Sequence, residues 1–356
     1  MCFVIKVKMI RILKNPVFAI GLIVMLIFVY MQCGRYLDID YLTVNSQIKP
    51  VDEELIGDAD VMDGYIPMSE EENYIDRMFR FRDNLIKHVG MDEDLVNEMM
   101  NTALNMERQD AIDFLERECP FVADLSGYFR SGEGKKLGTV TEINGYISEA
   151  LDKEDFMDYF GRKYIDYLGT IFAFFCLILY PFYFAPDSRK DIYEILHTKP
   201  VSGGKYILLQ ALGSILIGLL AVVVITLISQ GFVFVNKDRF NFAVNTARIW
   251  KYTLWCLIPT IVYISAVFLF FSILFKSPFP ALPFLFIQIL YSNAGVTSAN
   301  GSYVYIHRPG AIMIRYPEMF FETRLSETFY AKQAFLLALG VIILVAAAIL
   351  WEKKRI

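Results

Sequence analysis

Four acidic side chains near the start of a predicted helix have types and a spacing that could bind calcium. Asp58, Asp60, Asp63 and Glu70 surround Gly64 in an order that resembles a calcium-binding loop with one extra residue before the glycine. The competing interpretation is a solvated acidic turn that leads into a capped helix, and the sequence favours it because the spacing departs from that of the calcium loop.

The other residue types that often carry chemistry are scattered. His88, His197 and His307 lie far apart in the sequence, and none belongs to an HExxH motif or accompanies a cysteine pair. The glycine-containing stretches SGEGKK and SGGKY lack the GxxxxGK[ST] spacing that wraps phosphates. We therefore expect no catalytic residue, metal or cofactor in this chain, so that any ATP would be bound by a separate subunit.

A polar segment, Asp187 to Tyr206, joins two long apolar runs. Ile192, Ile195 and Leu196 fall at positions i, i+3 and i+4, which predicts a short amphipathic helix over residues 187–199. The helix should end before Pro200, because the residue before a proline is disfavoured in the α region. A partner outside the bilayer could push on such a helix and so move both adjoining membrane helices together. Alternatively, the helix could simply lie on the lipid headgroups.

The run EILHTKPVS, from Glu194 to Ser202, is followed by a glycine-containing apolar helix. It resembles the first cytoplasmic loop of ABC type-2 transporter permeases. In that family a charged residue precedes a Leu-x-Thr/Ser-x-Pro-Val-Ser step, and the loop forms the coupling helix that docks on the ATPase subunit. The close match covers about 30 residues, and a six-span layout extends the similarity along the chain.

The resemblance implies a non-catalytic transport subunit whose partners are an ABC ATPase, which binds ATP and Mg, and a second permease, either a copy or a paralogue. It implies an export pathway at the permease interface for a peptide, drug or other amphipathic solute. The ATPase-coupling residues that it implies are Ile192, Tyr193, Glu194, Ile195, Leu196, His197, Thr198, Lys199 and Pro200. No feature of the sequence suggests a nucleic-acid partner.

Composition supports a membrane protein. The 356 residues are 55% hydrophobic, include 30 Phe and 21 Tyr, and have a mean hydropathy of +0.41. A bilayer core of about 30 Å needs about 20 helical residues. Applied along the chain, this length predicts an all-α integral membrane protein with six transmembrane helices: 15–32, Tyr167–Ala185, Tyr206–Ile228, Tyr252–Phe275, Phe279–Tyr291 and Ala334–Trp351.

The first two predicted spans are separated by a different kind of sequence. Residues 33–162 carry 30 acidic and 13 basic side chains, a net charge of −17. Capping-box pairs at Ser69/Glu72 and Thr139/Glu142 predict helices there, and further helices are expected over Asp92–Met106 and Arg108–Glu118. We expect a mostly helical extracellular domain over 33–162, with 163–356 as the remaining transmembrane domain.

Basic residues in the short loops predict the orientation. The proposed inner segments (1–14, 186–205, 276–278 and 352–356) hold 12 Lys or Arg in 42 residues, whereas the outer segments 229–251 and 292–333 hold 8 in 65. Both termini of this multi-pass protein should therefore be cytosolic, and the resemblance to ABC permeases implies a bacterial plasma membrane. Residues 1–14 are expected to form an amphipathic entry helix, and 292–333 a second external segment.

Two other functional classes remain open. A membrane sensor or scaffold would bind a ligand through the external domain and signal through the 187–199 helix. An intramembrane enzyme would need polar catalytic groups at membrane depth, and the predicted apolar cores contain no Asp, Glu, Lys, Arg or His. Cys33 and Cys119 are both predicted external, so a disulfide between them also stays open.

Overall fold

The computed structural model describes residues 2–43, 48–122, 124–130, 134–188, 192, 202–297 and 303–355. Its contacts divide the chain into two compact units. The first unit comprises Met1–Tyr41, Ile147–Ala294 and His307–Ile356; the second comprises Leu42–Tyr146 and Gly295–Ile306. Residues 147–162, which the sequence placed with the acidic domain, belong to the first unit.

Helices dominate the described residues. In chain order they are α1 (Cys2–Leu13), α2 (Pro16–Cys33), α3 (Glu70–Asn84), α4 (Glu93–Leu104), α5 (Arg108–Glu118), α6 (Leu125–Arg130), α7 (Val140–Lys153), α8 (Phe156–Phe184), α9 (Gly203–Asn236), α10 (Ile249–Leu274), α11 (Ala281–Asn293) and α12 (Phe329–Arg355). Shorter 3₁₀ turns cover Gly34–Asp38, Glu53–Asp58, Val61–Asp63, Ala185–Ser188, Lys237–Arg239, Thr246–Arg248 and Phe320–Glu322, and a π turn covers Leu85–Val89.

Five helices of the first unit, α2, α8, α9, α10 and α12, are long and apolar enough to cross a membrane. The chain is thus an all-α membrane protein over the part that the structure describes. The predicted fifth span corresponds to α11, which has only 13 residues. At 1.5 Å per residue it is about 20 Å long, shorter than a hydrocarbon core of about 30 Å.

α8 and α10 form the centre of the bundle. In their most apolar windows 61% and 72% of the residues are buried, whereas the corresponding share is 22% for both α2 and α12. α2 approaches α8 closely at Gly21, where an added Cβ would lie 2.3 Å from the ring of Phe175. A larger residue at position 21 would therefore force these two helices apart.

The start of α8 differs from the sequence-based expectation. The second span was predicted to begin at Tyr167, within the chain that follows the acidic domain, whereas the helix that contains it begins at Phe156. α7 ends at Lys153, and Asp155 caps a new helix by accepting a hydrogen bond from the backbone N–H of Met157 at 2.8 Å. α8 consequently begins at Phe156 and carries charged residues in its first three turns.

The second unit packs helices α3 to α6 around a common apolar core, which includes Met78, Phe81, Val96, Ile112 and Leu115. Its strands are β1 (Tyr65–Pro67) and β2 (Lys135–Leu137), which pair antiparallel, and β3 (Val296–Thr297) and β4 (Tyr303–Val304), which also pair antiparallel. The mostly helical character expected for this region is present in the structure.

Cys33 and Cys119, for which a disulfide was left open by the sequence, are both free thiols. Cys33 is buried at the end of α2, and Cys119 is buried just after α5. The Sγ of Cys119 lies 3.9 Å from the Sδ of Met99 in the core of the second unit. The structure thus has no disulfide between Cys33 and Cys119.

Candidate functional site

The predicted ATPase-coupling residues lie almost wholly outside the described part of the chain. Ile192 is described, and its side chain is exposed. The other members of the predicted set lie outside the described residues: Tyr193, Glu194, Ile195, Leu196, His197, Thr198, Lys199 and Pro200. We call residues 189–202 the connector. The structure describes the two places where the connector joins α8 and α9, and these places form the candidate site.

The first of these places is centred on Asp187, two residues before the connector. The ammonium of Lys8 in α1 donates a hydrogen bond to this carboxylate. The side chains of Tyr206 and Gln210 in α9 also donate hydrogen bonds to it, at 2.9 and 2.7 Å. Lys8 also donates to the side-chain oxygen of Gln210 at 2.9 Å. We call these four residues the Asp187 anchor, because they tie the end of α8 to both α1 and α9.

Helical spacing positions the partners of Asp187. Lys8 and Ile12 lie one turn apart on α1, and both are buried, with 7% and 1% of their surface exposed. Tyr206 and Gln210 are likewise one turn apart on α9 and reach the same carboxylate. The inward face of α1 therefore contains a cation next to an apolar residue.

The Asp187 anchor contains a charge that is costly to bury alone. Burial lowers the pKa of Lys8 from its ordinary value, and the negative charge of Asp187 opposes this shift. The ammonium also lies 5.1 Å from the ring centroid of Tyr183, within the range of a cation–π contact. Removal of either charged partner should therefore destabilise this end of the bundle.

The second place is the first residue of α9. Ser202 occupies the N-cap position, but its side chain makes no capping hydrogen bond. Instead the backbone N–H of Gly203 donates to the carboxylate of Glu352 near the end of α12. An added Cβ at Gly203 would lie 2.8 Å from Oε1 of Glu352 and 3.0 Å from the carbonyl oxygen of Ala348. We call this contact the Gly203 anchor; its carboxylate also complements the positive end of the α9 dipole.

A small cavity of about 10 Å³ lies beside the Asp187 anchor. Tyr206 forms one wall and stacks on Trp351 of α12, with ring centroids 3.9 Å apart. The cavity is lined by Phe184, Asp187, Ser188, Tyr206, Leu269, Ser272, Ile273 and Trp351.

The two anchors bind both ends of the connector to other helices. Its α8 end is bonded to α1 and α9, and its α9 end is bonded to α12. The two anchors together thus join four helices, α1, α8, α9 and α12.

A second cluster of buried charges lies at the start of α8, and the sequence analysis missed it. Its members, the α8 charge cluster, are Asp158, Arg162, Lys163 and Asp166. The guanidinium of Arg162, only 1% exposed, donates to Thr323 at 3.1 Å, to the hydroxyl of Tyr252 at 3.3 Å and to the carboxylate of Glu154.

Two members of the cluster hold the backbone that precedes α12. Lys163 donates to the carbonyl oxygens of Tyr316, at 2.8 Å, and of Glu318. Asp166 accepts from the side chain of Arg315 and, at 2.6 Å, from the backbone N–H of Tyr316. The irregular segment before α12 is thus bound to α8 by charge-assisted hydrogen bonds.

Asp158 binds the start of α10. Its carboxylate accepts from the hydroxyl of Tyr252 at 2.8 Å and from the guanidinium of Arg248, and the ammonium of Lys251 lies 3.6 Å away. The α8 charge cluster therefore joins α8, α10 and the segment before α12 at the end of the bundle opposite the connector.

The acidic residues considered for calcium serve local roles in the structure. The side chain of Asp60 caps a short turn, and the backbone N–H of Asp60 donates to the carboxylate of Asp63 at 2.9 Å. Asp58 ends the preceding 3₁₀ turn, and Glu70 begins α3. Among the residues that the structure describes, no group of three or more His, Cys, Asp or Glu side chains is placed to hold a metal ion.

Comparisons with known proteins found no relative of this chain. No family model matches the chain, and no curated protein or solved structure matches it.

Proposed function

We propose that this chain is the permease subunit of an ATP-driven ABC exporter in a bacterial plasma membrane. With a second permease, a copy or a paralogue, it forms a pathway for a peptide, drug or other amphipathic solute. A separate ATPase subunit binds ATP and Mg and docks on the connector. The permease itself catalyses no reaction.

The observation that carries this proposal is the anchoring of the connector at both ends. The sequence EILHTKPVS in the connector resembles an ABC type-2 coupling loop, and such a loop must pass ATPase movement to the spans. The Asp187 anchor supplies a link to α1, α8 and α9, and the Gly203 anchor supplies a link to α12. A loop that merely rested on lipid headgroups would need neither link.

In this proposal the connector and both termini are cytosolic, in keeping with the concentration of Lys and Arg in the segments near them. The acidic second unit is external. The α8 charge cluster then lies near the external ends of the spans, where it fixes the segment around Arg315 to Tyr316 onto α8. Movement of α8 at its connector end would thereby be transmitted to the segment around Arg315 to Tyr316 on the external side.

The experiment is affinity purification of the full chain from native membranes in mild detergent. The wild type is compared with a Glu194→Arg, Leu196→Asp double variant in the connector. The matched control is Glu93→Arg, Leu95→Asp, which makes the same two changes at the same spacing, at exposed positions of the second unit. We expect a nucleotide-binding subunit to copurify with the wild type and the control and to be lost from the connector variant.

The opposite outcomes are also informative. Recovery of the ATPase with the connector variant would place the docking site elsewhere and contradict the role given to the connector. Failure to recover any ATPase with the wild type would contradict the permease proposal and favour a sensor or scaffold whose second unit binds a ligand.

A further inference from the structure

The chain between α11 and α12 contains a buried segment, residues 307–316, that forms neither helix nor strand. Four successive apolar residues within it are at most 6% exposed: Ala311, Ile312, Met313 and Ile314. An ordinary connecting loop lies on the surface, because its backbone polar groups need water or other partners. The burial of this segment therefore depends on partners that the neighbouring helices provide.

Side chains of α10 and α11 hold the backbone of Ile312 in the middle of the bundle. The hydroxyl of Thr260 donates to the carbonyl oxygen of Ile312 at 2.9 Å, and the backbone N–H of Ile312 donates to the hydroxyl of Ser292 at 2.9 Å. Thr260 lies close to the midpoint of α10, whose 26 residues run from Ile249 to Leu274. At 1.5 Å per residue, Ile312 is thus held at a level about 16 Å along α10.

The same contact shows how far α11 reaches. Ser292 is the residue before the last of the 13 in α11, so α11 ends at the level of Thr260, halfway along α10. Two further side chains of α11, those of Gln288 and Tyr291, donate to backbone carbonyl oxygens of the 307–316 segment. α11 therefore covers only the half of α10 that is nearer the connector, and its final turns hold the irregular segment.

Both ends of the 307–316 segment return to the end of the bundle opposite the connector. The carbonyl oxygen of His307 accepts from the ammonium of Lys332, near the start of α12, at 2.6 Å. The backbone of Tyr316 is bonded to the α8 charge cluster. The chain consequently enters and leaves at one end of the bundle and reaches its middle at Ile312.

Irregular backbone at membrane depth is tolerated only where it is buried in protein or lines a water-filled cavity, because hydrocarbon offers no hydrogen-bond partners. The 307–316 segment meets the first condition, since hydroxyl groups of α10 and α11 bond both polar groups of Ile312. We propose that α11 crosses only the connector-side half of the membrane and that residues 307–316 form a re-entrant plug in the opposite half.

In this arrangement α11 and the plug together complete one crossing, beside the five long apolar helices. The plug fills the space next to α8 and α10 that a longer α11 would occupy, and so closes that end of the bundle. The existence of the plug depends on the five spans and not on the proposed transport function, so either can fail without the other.

The first test measures the depth of the end of α11 by spin labelling of the full chain in liposomes. A nitroxide is attached in Leu290→Cys near the end of α11, in Ile342→Cys near the midpoint of α12, or in Val235→Cys at the end of α9 opposite the connector. These side chains are 55%, 63% and 77% exposed, so the labels replace no core contact. Cys2 is replaced by serine, and the other four cysteines are buried.

Collision rates with oxygen, which concentrates in hydrocarbon, and with a nickel chelate, which stays in water, give the depth of each label. We expect the oxygen-to-nickel ratio at position 290 to match that at position 342 and to exceed that at position 235 several-fold. A ratio at position 290 equal to that at position 235 would overturn the proposal, because α11 would then reach the far interface.

The second test asks whether α10 holds the plug. Thr260→Val removes the hydroxyl that bonds Ile312. The matched control is Thr253→Val, because Thr253 is also buried in α10 but donates to Ile249 in its own helix. Gel filtration of each variant checks that the fold is retained.

The readout is hydrogen exchange of peptides from residues 307–316 in the full-length protein. We expect slow exchange in the wild type and in Thr253→Val, and exchange several-fold faster in Thr260→Val. Exchange in the wild type as fast as in a solvated loop, or equal rates in the two variants, would overturn the plug.

Discussion

Lys8 and Asp187 form a partly buried ion pair although 179 residues separate them in the sequence. The pair places the N-terminal helix directly against the point where the connector leaves α8. This contact, together with the bond from Lys8 to Gln210, ties α1 to the end of α8 and to α9.

Removal of Lys8 should reveal how strongly that pair holds the bundle. Lys8→Gln leaves the Asp187 carboxylate without its cation, so the free energy of unfolding should fall by about 3 kcal/mol. Lys14→Gln, a change at an exposed position just after α1, should have almost no effect. Unfolding of the full chain in mixed micelles, followed by tryptophan fluorescence, measures the difference.

A double-mutant cycle with Asp187→Asn isolates the interaction between the two charges. The double variant should lose less stability than the sum of the single variants, because each single change already removes the pair. Additive losses would mean that Lys8 stabilises the fold through other contacts.

Adjacent glycines at the start of α9 should respond oppositely to alanine. Gly203→Ala should destabilise the bundle by about 1–3 kcal/mol, because the new methyl group would overpack against Glu352 and the carbonyl of Ala348. At Gly204 a Cβ has open space, so Gly204→Ala should stabilise the helix by up to about 1 kcal/mol. The same unfolding measurement applies, and equal effects at both positions would contradict the Gly203 anchor.

Asp166 should control access to the segment that precedes α12. Asp166→Asn removes the negative charge that holds Arg315, so trypsin should cleave after Arg315 several-fold faster than in the wild type. Asp238→Asn, at an exposed site, provides the control for loss of one negative charge. Timed digestion of the detergent-solubilised protein with peptide mapping gives the rate, and an unchanged rate would argue against the role of the α8 charge cluster.

Low pH should destabilise the second unit because Glu142 becomes protonated. Hydrogen bonds from Lys136 and then from Thr139 lower the pKa of Glu142 from 4.5 to about 2. A lowered carboxyl pKa gives stability that is complete above pH 4.5 and is lost as the pH falls toward 2. Hydrogen exchange of the peptides around β2 and α7, corrected for the intrinsic rate, should speed up over this range.

Two variants separate this contribution from general acid effects. In Glu142→Gln the pH dependence of exchange should flatten, while the capping contact to Thr139 remains possible for the amide. Glu71→Gln, at an exposed position on α3, should behave like the wild type. A full acid response in Glu142→Gln would assign the loosening to other carboxylates.

Local signals in the sequence predicted much of the helical structure. Ser69 and Glu72 form the expected capping box, with distances of 2.9 and 3.2 Å, and the helix over Arg108–Glu118 has the predicted bounds. Such caps depend on residues three apart, so they are visible without knowledge of the fold.

The α8 charge cluster could not be assigned in this way. Asp158 and Arg162 were counted with the acidic domain, and the partners of the cluster are distant in sequence: Arg248 lies 90 residues from Asp158, and Arg315 lies 149 residues from Asp166. One signal was present: Asp158, Arg162 and Asp166 recur every four residues among aromatic side chains, which marks one polar face of a helix. The Asp187 anchor and the Gly203 anchor could not be predicted either, because contacts between residues far apart in the sequence leave no local pattern.

The stacking of Tyr206 on Trp351 has a practical consequence. It places one of the three tryptophans of the chain beside the cavity next to Asp187. The other two, Trp250 and Trp255, lie near the start of α10, at the far end of the bundle. With both replaced by phenylalanine, the protein would contain a native optical probe: the emission of Trp351 would change in colour and lifetime whenever the connector end opened to water.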